Sequence, residues 1–277
     1  MRALRTVLPG EDIAYFGDTA RLPYGCKTAA TVTGFVKEII AFVEPLRPKH
    51  IVIACNTATA LALPALRAEF AGMSISGVIE PGAKAAVIAA GAKQIPIIGV
   101  IATEATIRSK AYERAIHRRR HHARLLLCPT PLLVPIIEEG RRSNDPLVQM
   151  ALKQYLSQLT KHRMDVLVLG CTHYPIFKDI IAAMVGPRVK VIDSAEQCAD
   201  DVARRLKDNS LLRTEAEHDG AMKVPEGSLR CFVTDDPGRF AALAPRFLGC
   251  QVAAPTWVSA EELSRGRAAA IPISVPA

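Results

Sequence analysis

HIVIACNT (residues 50–57) recurs 116 residues later as VLVLGCTH (residues 166–173). Each copy is a run of apolar, mostly branched residues that ends in a small residue, a cysteine and a hydrogen-bonding residue. Such a run, followed by polar turn residues, is typical of a buried β-strand. The repeat therefore predicts two similar halves, with one buried strand ending at Cys55 and its counterpart ending at Cys171.

The sequence around these two strands predicts an α/β fold. Continuous apolar runs alternate with segments of helical periodicity, which is the order of a parallel sheet covered by helices on both faces. The predicted strands are Asp12–Phe16, His50–Ala54, Ser74–Ile79, Pro96–Ile101, Arg124–Leu127, Asp165–Leu169, Val189–Ile192 and Leu229–Val233. The predicted helices are Lys27–Leu46, Asn56–Phe70, Glu104–Arg119, Pro146–Arg163, Tyr174–Val185, Glu196–Lys207 and Gly238–Leu248.

A second pair of similar segments supports the internal repeat. VIEPGAK (residues 78–84) resembles VIDSAEQ (residues 191–197) at nearly the same offset as the two cysteines. We expect two pseudo-symmetric, three-layer α/β domains with mainly parallel sheets. Residues 1–81 and 208–277 are predicted to form the first domain, and residues 82–207 the second.

The repeat also predicts where the active site lies. Ligands of open α/β sheets bind at the carboxyl ends of the strands. A pseudo-twofold arrangement of the domains would make Cys55 and Cys171 face each other across an inter-domain cleft. We expect the active site in that cleft.

Composition excludes several classes of protein. The chain has 277 residues, 49% apolar and 22% charged, which is typical of a globular protein with a core of its own. The longest apolar stretch, residues 51–66, is interrupted by polar residues and is shorter than the about 20 residues of a membrane-spanning helix. The N-terminus has no continuous apolar core of signal-peptide length. We therefore expect a cytoplasmic protein with no membrane partner.

The net charge of +8 invites a nucleic-acid interpretation. The dense basic run, His117–His122, lies at the predicted C-terminal end of a helix, where cations suit the helix dipole. Because no aromatic residues are interleaved with it, we expect a solvated helix end and no nucleic acid partner. The seven cysteines include no C-x-x-C pair and no Cys/His cluster at zinc-ligand spacing, so neither disulfides nor a metal site is predicted.

Cys55 and Cys171 are the candidate catalysts. A cysteine between a strand and a helix N-terminus lies where backbone N–H groups and the helix dipole favour a thiolate. Two thiols on opposite sides of a cleft can remove a proton from one face of a carbon and deliver another to the opposite face, which is racemisation. Each would need a pKa near the working pH. The alternative is that both are small buried apolar residues, the common role of a free cysteine. The other five cysteines lack this strand-end context, and we expect a structural role for Cys26, Cys128, Cys198, Cys231 and Cys250.

Polar residues near the two cysteines are candidates for assisting roles. His173 and Glu138 are candidates for exchanging protons with a thiol, although a helix-start histidine and a solvated carboxylate are the alternatives. Asn56, Thr57 and Thr172 follow the cysteines and are placed to bind a carboxylate at helix N-termini, a position that also suits ordinary capping.

A turn near the N-terminus is a further candidate for substrate contact. Tyr24 and Gly25 follow a proline, and a glycine in a turn lets the backbone approach a ligand closely. A plain turn is the alternative.

The internal repeat indicates that one element is missing from the first half. The second half opens with a strand and turn at residues 97–104, in which Thr103 precedes Cys171 by 68 residues. The same distance before Cys55 falls about 13 residues before Met1. We therefore expect the first half to lack its opening strand and the turn after it.

Four motifs occur in order along the chain: FGDTARLPYG (residues 16–25), ACNTAT (54–59), VPIIEEG (134–140) and LGCTHYP (169–175). Together they resemble the glutamate racemase family over nearly the whole chain. His173 separates the sequence from the related aspartate racemases, which usually carry a glutamate at that position.

The resemblance implies a cofactor-independent interconversion of L- and D-glutamate that supplies D-glutamate for peptidoglycan. In the family, the cysteine matching Cys55 deprotonates D-glutamate and the cysteine matching Cys171 deprotonates L-glutamate. The matching assisting residues are His173 and Glu138, and the positions that match substrate-holding residues are Tyr24, Gly25, Asn56, Thr57, Thr172 and His173. Neither pyridoxal phosphate nor a metal is implied, and whether the chain forms a homodimer is left open.

One departure from the family leaves other functions open. The family begins with a strand and an Asp-Ser-Gly turn whose aspartate assists the first cysteine, and this sequence starts after that turn. The alternatives are a glutamate-binding remnant without turnover and a cysteine hydrolase with Cys171 as nucleophile and His173 as base. The hydrolase interpretation leaves Cys55 without a role.

Overall fold

The structure of the chain is a computed structural model that describes residues 1–213, 216–218, 221–223, 226–249 and 251–265. Cys250 and residues 266–277, which the predicted first domain includes, lie outside the described residues. The α-helices are α1 (Arg2–Val7), α2 (Ala29–Val43), α3 (Asn56–Glu69), α4 (Ile79–Ala89), α5 (Glu104–Arg108), α6 (Ala111–His117), α7 (Leu133–Glu138), α8 (Pro146–Thr160), α9 (Lys178–Val185), α10 (Ala195–Asp208), α11 (Pro237–Leu248) and α12 (Ala260–Ser264). The strands are β1 (Ile13–Gly17), β2 (Ile51–Ile53), β3 (Ile75–Gly77), β4 (Ile97–Ala102), β5 (Arg124–Pro129), β6 (Val166–Gly170), β7 (Lys190–Asp193), β8 (Ala216–His218), β9 (Ala221–Lys223), β10 (Leu229–Val233) and β11 (Thr256–Trp257).

The second half of the molecule contains a four-stranded parallel sheet in the order β5-β4-β6-β7. Successive side chains of β6 point to opposite faces, as the two-residue period of a strand requires. Leu167 and Leu169 pack into a core with α7, α8 and α9, whereas Val166 and Val168 pack into a second core with α4 and α6. This three-layer arrangement confirms the predicted α/β fold with parallel strands.

The first half repeats part of this sheet. Strands β2 and β3 pair in parallel, with Ile51 opposite Ile75. In the second half Leu167 lies opposite Val191. Both residues of the pair are shifted by the same 116 positions, so the repeat seen in the sequence extends to strand register.

The sheet of the first half is divided into two pieces. Strand β1 pairs with β10, which pairs with β11, while β2 pairs with β3. Within the described residues no strand joins β1 to β2, although β4 holds the corresponding central position in the second half. Ala14 in β1 and Ala54 just after β2 are exposed, whereas β6 is buried throughout.

Three element predictions need correction. The predicted helix Glu104–Arg119 is two helices, because Lys110 adopts a left-handed conformation with φ of 57° and the hydroxyl of Ser109 accepts the N–H of Ala111. The predicted strand Ser74–Ile79 ends at Gly77, and Ile79 instead begins α4. The helix predicted from Tyr174 starts with a 3-10 turn, Tyr174–Phe177, before α9.

The basic run lies at the end of α6, as predicted. The guanidinium groups of Arg118 and Arg119 both form ion pairs with Glu80 at the start of α4. Part of the positive charge is therefore neutralised within the chain. In the part of the chain that the structure describes, none of the helices combines the length and the apolar character needed to cross a membrane.

Candidate active site

Cys55 lies at the point where β2 ends and α3 begins. It is the N-cap residue of α3, and its side chain is half-buried. Burial raises the pKa of the Cys55 thiol to about 11, although the backbone N–H of Ala58 and the backbone and hydroxyl of Thr57 act in the opposite direction. The sequence predicted a pKa near the working pH for each catalytic cysteine. For Cys55 this prediction is wrong, because the desolvation of the thiol outweighs the effect of the helix N-terminus.

Cys171 follows β6 and is connected to two further candidate residues. Its sulfur lies 3.7 Å from Nδ1 of His173, and Nε2 of the same ring lies 2.6 Å from Oε1 of Glu138. Burial alone would lower the pKa of His173, but the hydrogen bonds to Cys171 and Glu138 outweigh it and raise the pKa to about 10. The hydrogen bond from His173 in turn lowers the pKa of Glu138. At neutral pH this arrangement favours an imidazolium held between a sulfur and a carboxylate.

The two cysteines lie within electrostatic reach of each other. Cys171 contributes to raising the pKa of Cys55, although less than burial does. Hydroxyl groups also connect the two halves at this place. Oγ1 of Thr57 lies 2.9 Å from Oγ1 of Thr103 and 3.2 Å from Oγ1 of Thr106. The carboxyl ends of β2 and β4, which belong to separate sheets, thus meet here, and β6 ends beside β4.

Gly25 packs at the same junction. A Cβ atom at Gly25 would lie 2.8 Å from Cβ of Thr103 and 3.0 Å from its Cγ2. Real Cβ atoms do not approach backbone-anchored carbons so closely, so any larger residue would push the turn away from the second half. The sequence predicted that Gly25 lets the backbone approach a ligand closely, whereas the close approach in the structure is to Thr103.

The side-chain amide of Asn56 has a hydrogen-bonded oxygen and a nitrogen without a partner among the described residues. Its Oδ1 accepts a 2.8 Å hydrogen bond from the hydroxyl of Tyr112 on α6. Its Nδ2 is buried and has no hydrogen-bond partner within the described residues. A buried donor without a partner costs about 1–3 kcal/mol, so this group is well placed to donate to a bound anion.

The remaining predicted substrate residues differ in their surroundings. Tyr24 is buried, and its hydroxyl donates to the carboxylate of Asp18. Burial and this carboxylate raise the pKa of Tyr24. Arg21 and Thr234 also hydrogen-bond to Asp18, which fixes the turn after β1. Thr172, in contrast, is exposed in the turn between Cys171 and His173.

Several residues of this site were not predicted as such. Thr103 occurs in the turn that the repeat identified, so its position relative to Cys171 was a usable signal. Tyr112 is separated from Asn56 by 56 residues, and no local pattern indicates their contact. Across the described ranges, which omit parts of 214–225, residue 250 and 266–277, no three His, Cys, Asp or Glu side chains are grouped to hold a metal ion.

The sequence of the chain is similar to those of known racemases. The family model of the Asp/Glu/Hydantoin racemases matches residues 1–201. A glutamate racemase of Thermus thermophilus is 43% identical over 265 residues, which cover 95% of this chain and 92% of the relative. A glutamate racemase of Geobacter metallireducens is 42% identical over 249 residues, covering 90% of this chain and 87% of the relative.

Solved structures give the same result. A glutamate racemase isoform from Bacillus anthracis has a TM-score of 0.83 at 35% identity, covering 93% of this chain and 91% of that chain. A glutamate racemase from Francisella tularensis, determined in complex with D-glutamate, has a TM-score of 0.81 at 34% identity with the same two coverages. From its family model, its relatives and its fold, this chain belongs to the Asp/Glu/Hydantoin racemase family.

Proposed function

We propose that the chain interconverts L- and D-glutamate by direct proton transfer, with Cys55 and Cys171 as the two acid/base catalysts. The observation that carries this proposal is the placement of two thiols at equivalent positions of the repeat, after β2 and β6, within electrostatic reach of each other. Two such groups on opposite faces of one carbon are what inversion requires. The substrate is inferred from the relatives, which are glutamate racemases.

The charges around the two thiols suit one direction of reaction in particular. Cys55, with its raised pKa, is protonated at neutral pH and ready to act as an acid. Cys171, whose sulfur contacts the protonated His173, is the base in this proposal. The Cys171 thiolate takes the α-hydrogen as a proton, and the electron pair stays on the α-carbon. The thiol of Cys55 then delivers its proton to the opposite face of that carbon and becomes a thiolate.

Substrate anchoring is proposed for the groups at the start of α3. Nδ2 of Asn56, in the first turn of α3, is a donor for a carboxylate. Thr57 and Thr172 extend this donor set on the two sides of the cleft. We propose Tyr24 and Gly25 as the wall on the side of the first half. In the cell, we infer that the product D-glutamate supplies peptidoglycan synthesis in the cytoplasm.

Proton NMR in D₂O tests this proposal. L-glutamate and, separately, D-glutamate are incubated with the chain and with its Cys55→Ser and Cys171→Ser variants. We expect exchange of the α-hydrogen with inversion for the unaltered chain, and a loss of about 10²–10⁴-fold or more in each variant. The exposed Cys26 provides a matched control, because Cys26→Ser should retain the rate. Binding of glutamate without exchange, seen as thermal stabilisation, would identify a binding remnant instead.

A cysteine hydrolase is the second candidate, because Cys171, His173 and Glu138 form the nucleophile, base and orienting carboxylate that such chemistry uses. It requires no second thiol. Hydrolysis of a glutamyl ester that survives in Cys55→Ser, with an acyl group trapped on Cys171, would favour the hydrolase over the racemase.

A further inference from the structure

Helix α11 belongs to the first half but contacts the second half at the candidate site. It follows β10, which pairs with β1, and the ring of its Phe240 stacks on Tyr15 of β1 with centroids 5.7 Å apart. From this anchor the helix extends over the end of α7. There Arg239 contacts Glu138, and Phe247 contacts His173.

Arg239 completes the C-terminal end of α7. Glu138 is the last residue of that six-residue helix, where backbone carbonyl groups have no intrahelical partner. Nη2 of Arg239 donates to the carbonyl oxygen of Glu138 at 2.9 Å. The charge of the same guanidinium also helps to lower the pKa of the Glu138 carboxyl. Its effect is smaller than those of the hydrogen bond from His173 and of burial. One side chain of the first half therefore fixes the backbone and biases the charge of Glu138.

Phe247 fixes the other partner of this pair. Its ring meets the imidazole of His173 edge to face, with centroids 5.9 Å apart and planes at 80°. Aromatic pairs prefer this edge-to-face geometry over a face-to-face stack. The imidazole is therefore restrained in the plane in which one nitrogen faces the Cys171 sulfur and the other faces Glu138. A third contact, from Arg246 to the carbonyl of Arg141, holds α11 against the loop that follows α7.

We propose that Arg239 and Phe247 are positioning residues, through which α11 of the first half holds the Glu138–His173 pair of the second half in line with Cys171. This proposal rests on the proposed function, because the aligned pair matters only if Cys171 transfers a proton. It makes the proton-transfer residues of one half depend on a helix of the other. Proton transfer from Cys171 is then efficient only when the two halves are in contact around the substrate.

The groups that face His173 come from several elements. Cys171 approaches it from the end of β6 and Glu138 from α7, while Arg239 on α11 acts through Glu138. Tyr15 of β1 lies within electrostatic reach of Glu138, and burial raises its pKa to about 12, so this phenol is neutral over the working range. The charge of His173 is therefore determined mainly by how well Glu138 and Cys171 are held.

The test is a titration of His173 by NMR in the full chain labelled with ¹⁵N-histidine, together with kcat for glutamate. The variants are Arg239→Met, Arg239→Lys and Phe247→Leu, and a His173→Asn variant assigns the signal. Arg204→Met is the matched control, because Arg204 is an exposed arginine that pairs with a carboxylate on α10, remote from the site. Thermal unfolding establishes that each variant is folded.

The direction of the change distinguishes positioning from simple charge. If Arg239 acts only by its charge, its removal leaves the pKa of His173 unchanged or raises it, because a nearby cation is lost. If it positions Glu138, the hydrogen bond to His173 weakens and the pKa of His173 falls toward its ordinary value. We expect this fall in Arg239→Met and Phe247→Leu, with kcat lowered about tenfold to a hundredfold. Arg239→Lys should recover part of both effects.

The proposal is overturned if the pKa of His173 does not fall in Arg239→Met, or if kcat of that variant stays within twofold of the unaltered chain. Failure of the proposed function has a different signature, since the unaltered chain would then not exchange the α-hydrogen of glutamate at all. In that case the titration of His173, which needs no substrate, still decides whether α11 positions the pair.

Discussion

Oε1 of Glu138 lies 2.6 Å from Nε2 of His173, on the side of the imidazole ring opposite the Cys171 sulfur. The two residues are 35 positions apart and come from α7 and the turn after β6. The carboxylate and the sulfur both raise the pKa of His173, to about 10, against the effect of burial. The imidazole therefore stays protonated at neutral pH and loses its charge only as the pH rises toward 10.

Glu138→Gln should destabilise the chain in a pH-dependent way. The pKa of His173 is raised from 6.5 to about 10, so its contribution to stability is complete below pH 6.5 and is lost as the pH rises through 10. The pKa of Glu138 is lowered from 4.5, so its contribution is present above pH 4.5 and is lost as the pH falls further. Urea unfolding should therefore show a difference of about 1 kcal/mol at pH 5.5, discounted for the partial exposure of both side chains, that shrinks toward pH 10.

The neighbouring carboxylate provides the control for that measurement. Glu139 is exposed and pairs with Arg141 rather than with a histidine. Glu139→Gln should therefore change the unfolding free energy little at any of these pH values. An equal, pH-independent loss in both variants would show that His173 and Glu138 are not coupled.

Gly25→Ala should impair the contact between the two halves. The new Cβ would meet Thr103 at 2.8 Å, so the turn or Thr103 must move, at a cost of about 1–3 kcal/mol. Because Thr103 hydrogen-bonds to Thr57 next to Cys55, we also expect kcat/KM for glutamate to fall by about 10²-fold. Urea unfolding and the NMR exchange assay measure the two effects.

Gly34 in α2 is the matched control for Gly25. A Cβ atom there would meet nothing within 4 Å, and alanine is the better helix former by about 1 kcal/mol. Gly34→Ala should therefore stabilise the chain and leave kcat/KM unchanged. Unchanged kcat/KM in Gly25→Ala would mean that this turn does not form part of the site.

Tyr112→Phe should weaken substrate binding without removing any group that contacts substrate directly. The Tyr112 hydroxyl holds Oδ1 of Asn56, and this leaves Nδ2 directed away from Tyr112 as a free donor. Without that hydroxyl the amide can rotate, so we expect KM for glutamate to rise about tenfold, the equivalent of one hydrogen bond of about 1.4 kcal/mol. Steady-state kinetics measure it, and a rise in KM smaller than twofold would argue against a substrate role for Asn56.

The sequence predicted those features of the fold and site that depend on residues close together in the chain. The repeat around Cys55 and Cys171 predicted two similar halves, each with a strand that ends just before one of the cysteines. This could be predicted because strand ends and helix starts follow one another along the chain. It could not predict the contacts of Arg239 or Tyr112, which reach residues 101 and 56 positions away. Such contacts are determined by how separate helices pack, and the amphipathic period of a helix does not name its neighbour. The break at Lys110 was also hidden, because lysine is an ordinary helix former.

The divided sheet of the first half gives a prediction that depends only on hydrogen bonding. Among the described residues, β4 and β6 are paired along both edges, whereas β1 and β2 are each paired along one. Backbone N–H groups on an unpaired edge exchange with solvent through small local motions, whereas those of a central strand need larger openings. Hydrogen exchange followed by mass spectrometry should therefore show residues 13–17 and 51–53 exchanging at least about tenfold faster than residues 97–102 and 166–170. Equal protection of the four segments would mean that β1 and β2 are covered along both edges in solution, and the division of the sheet would then not describe the protein in solution.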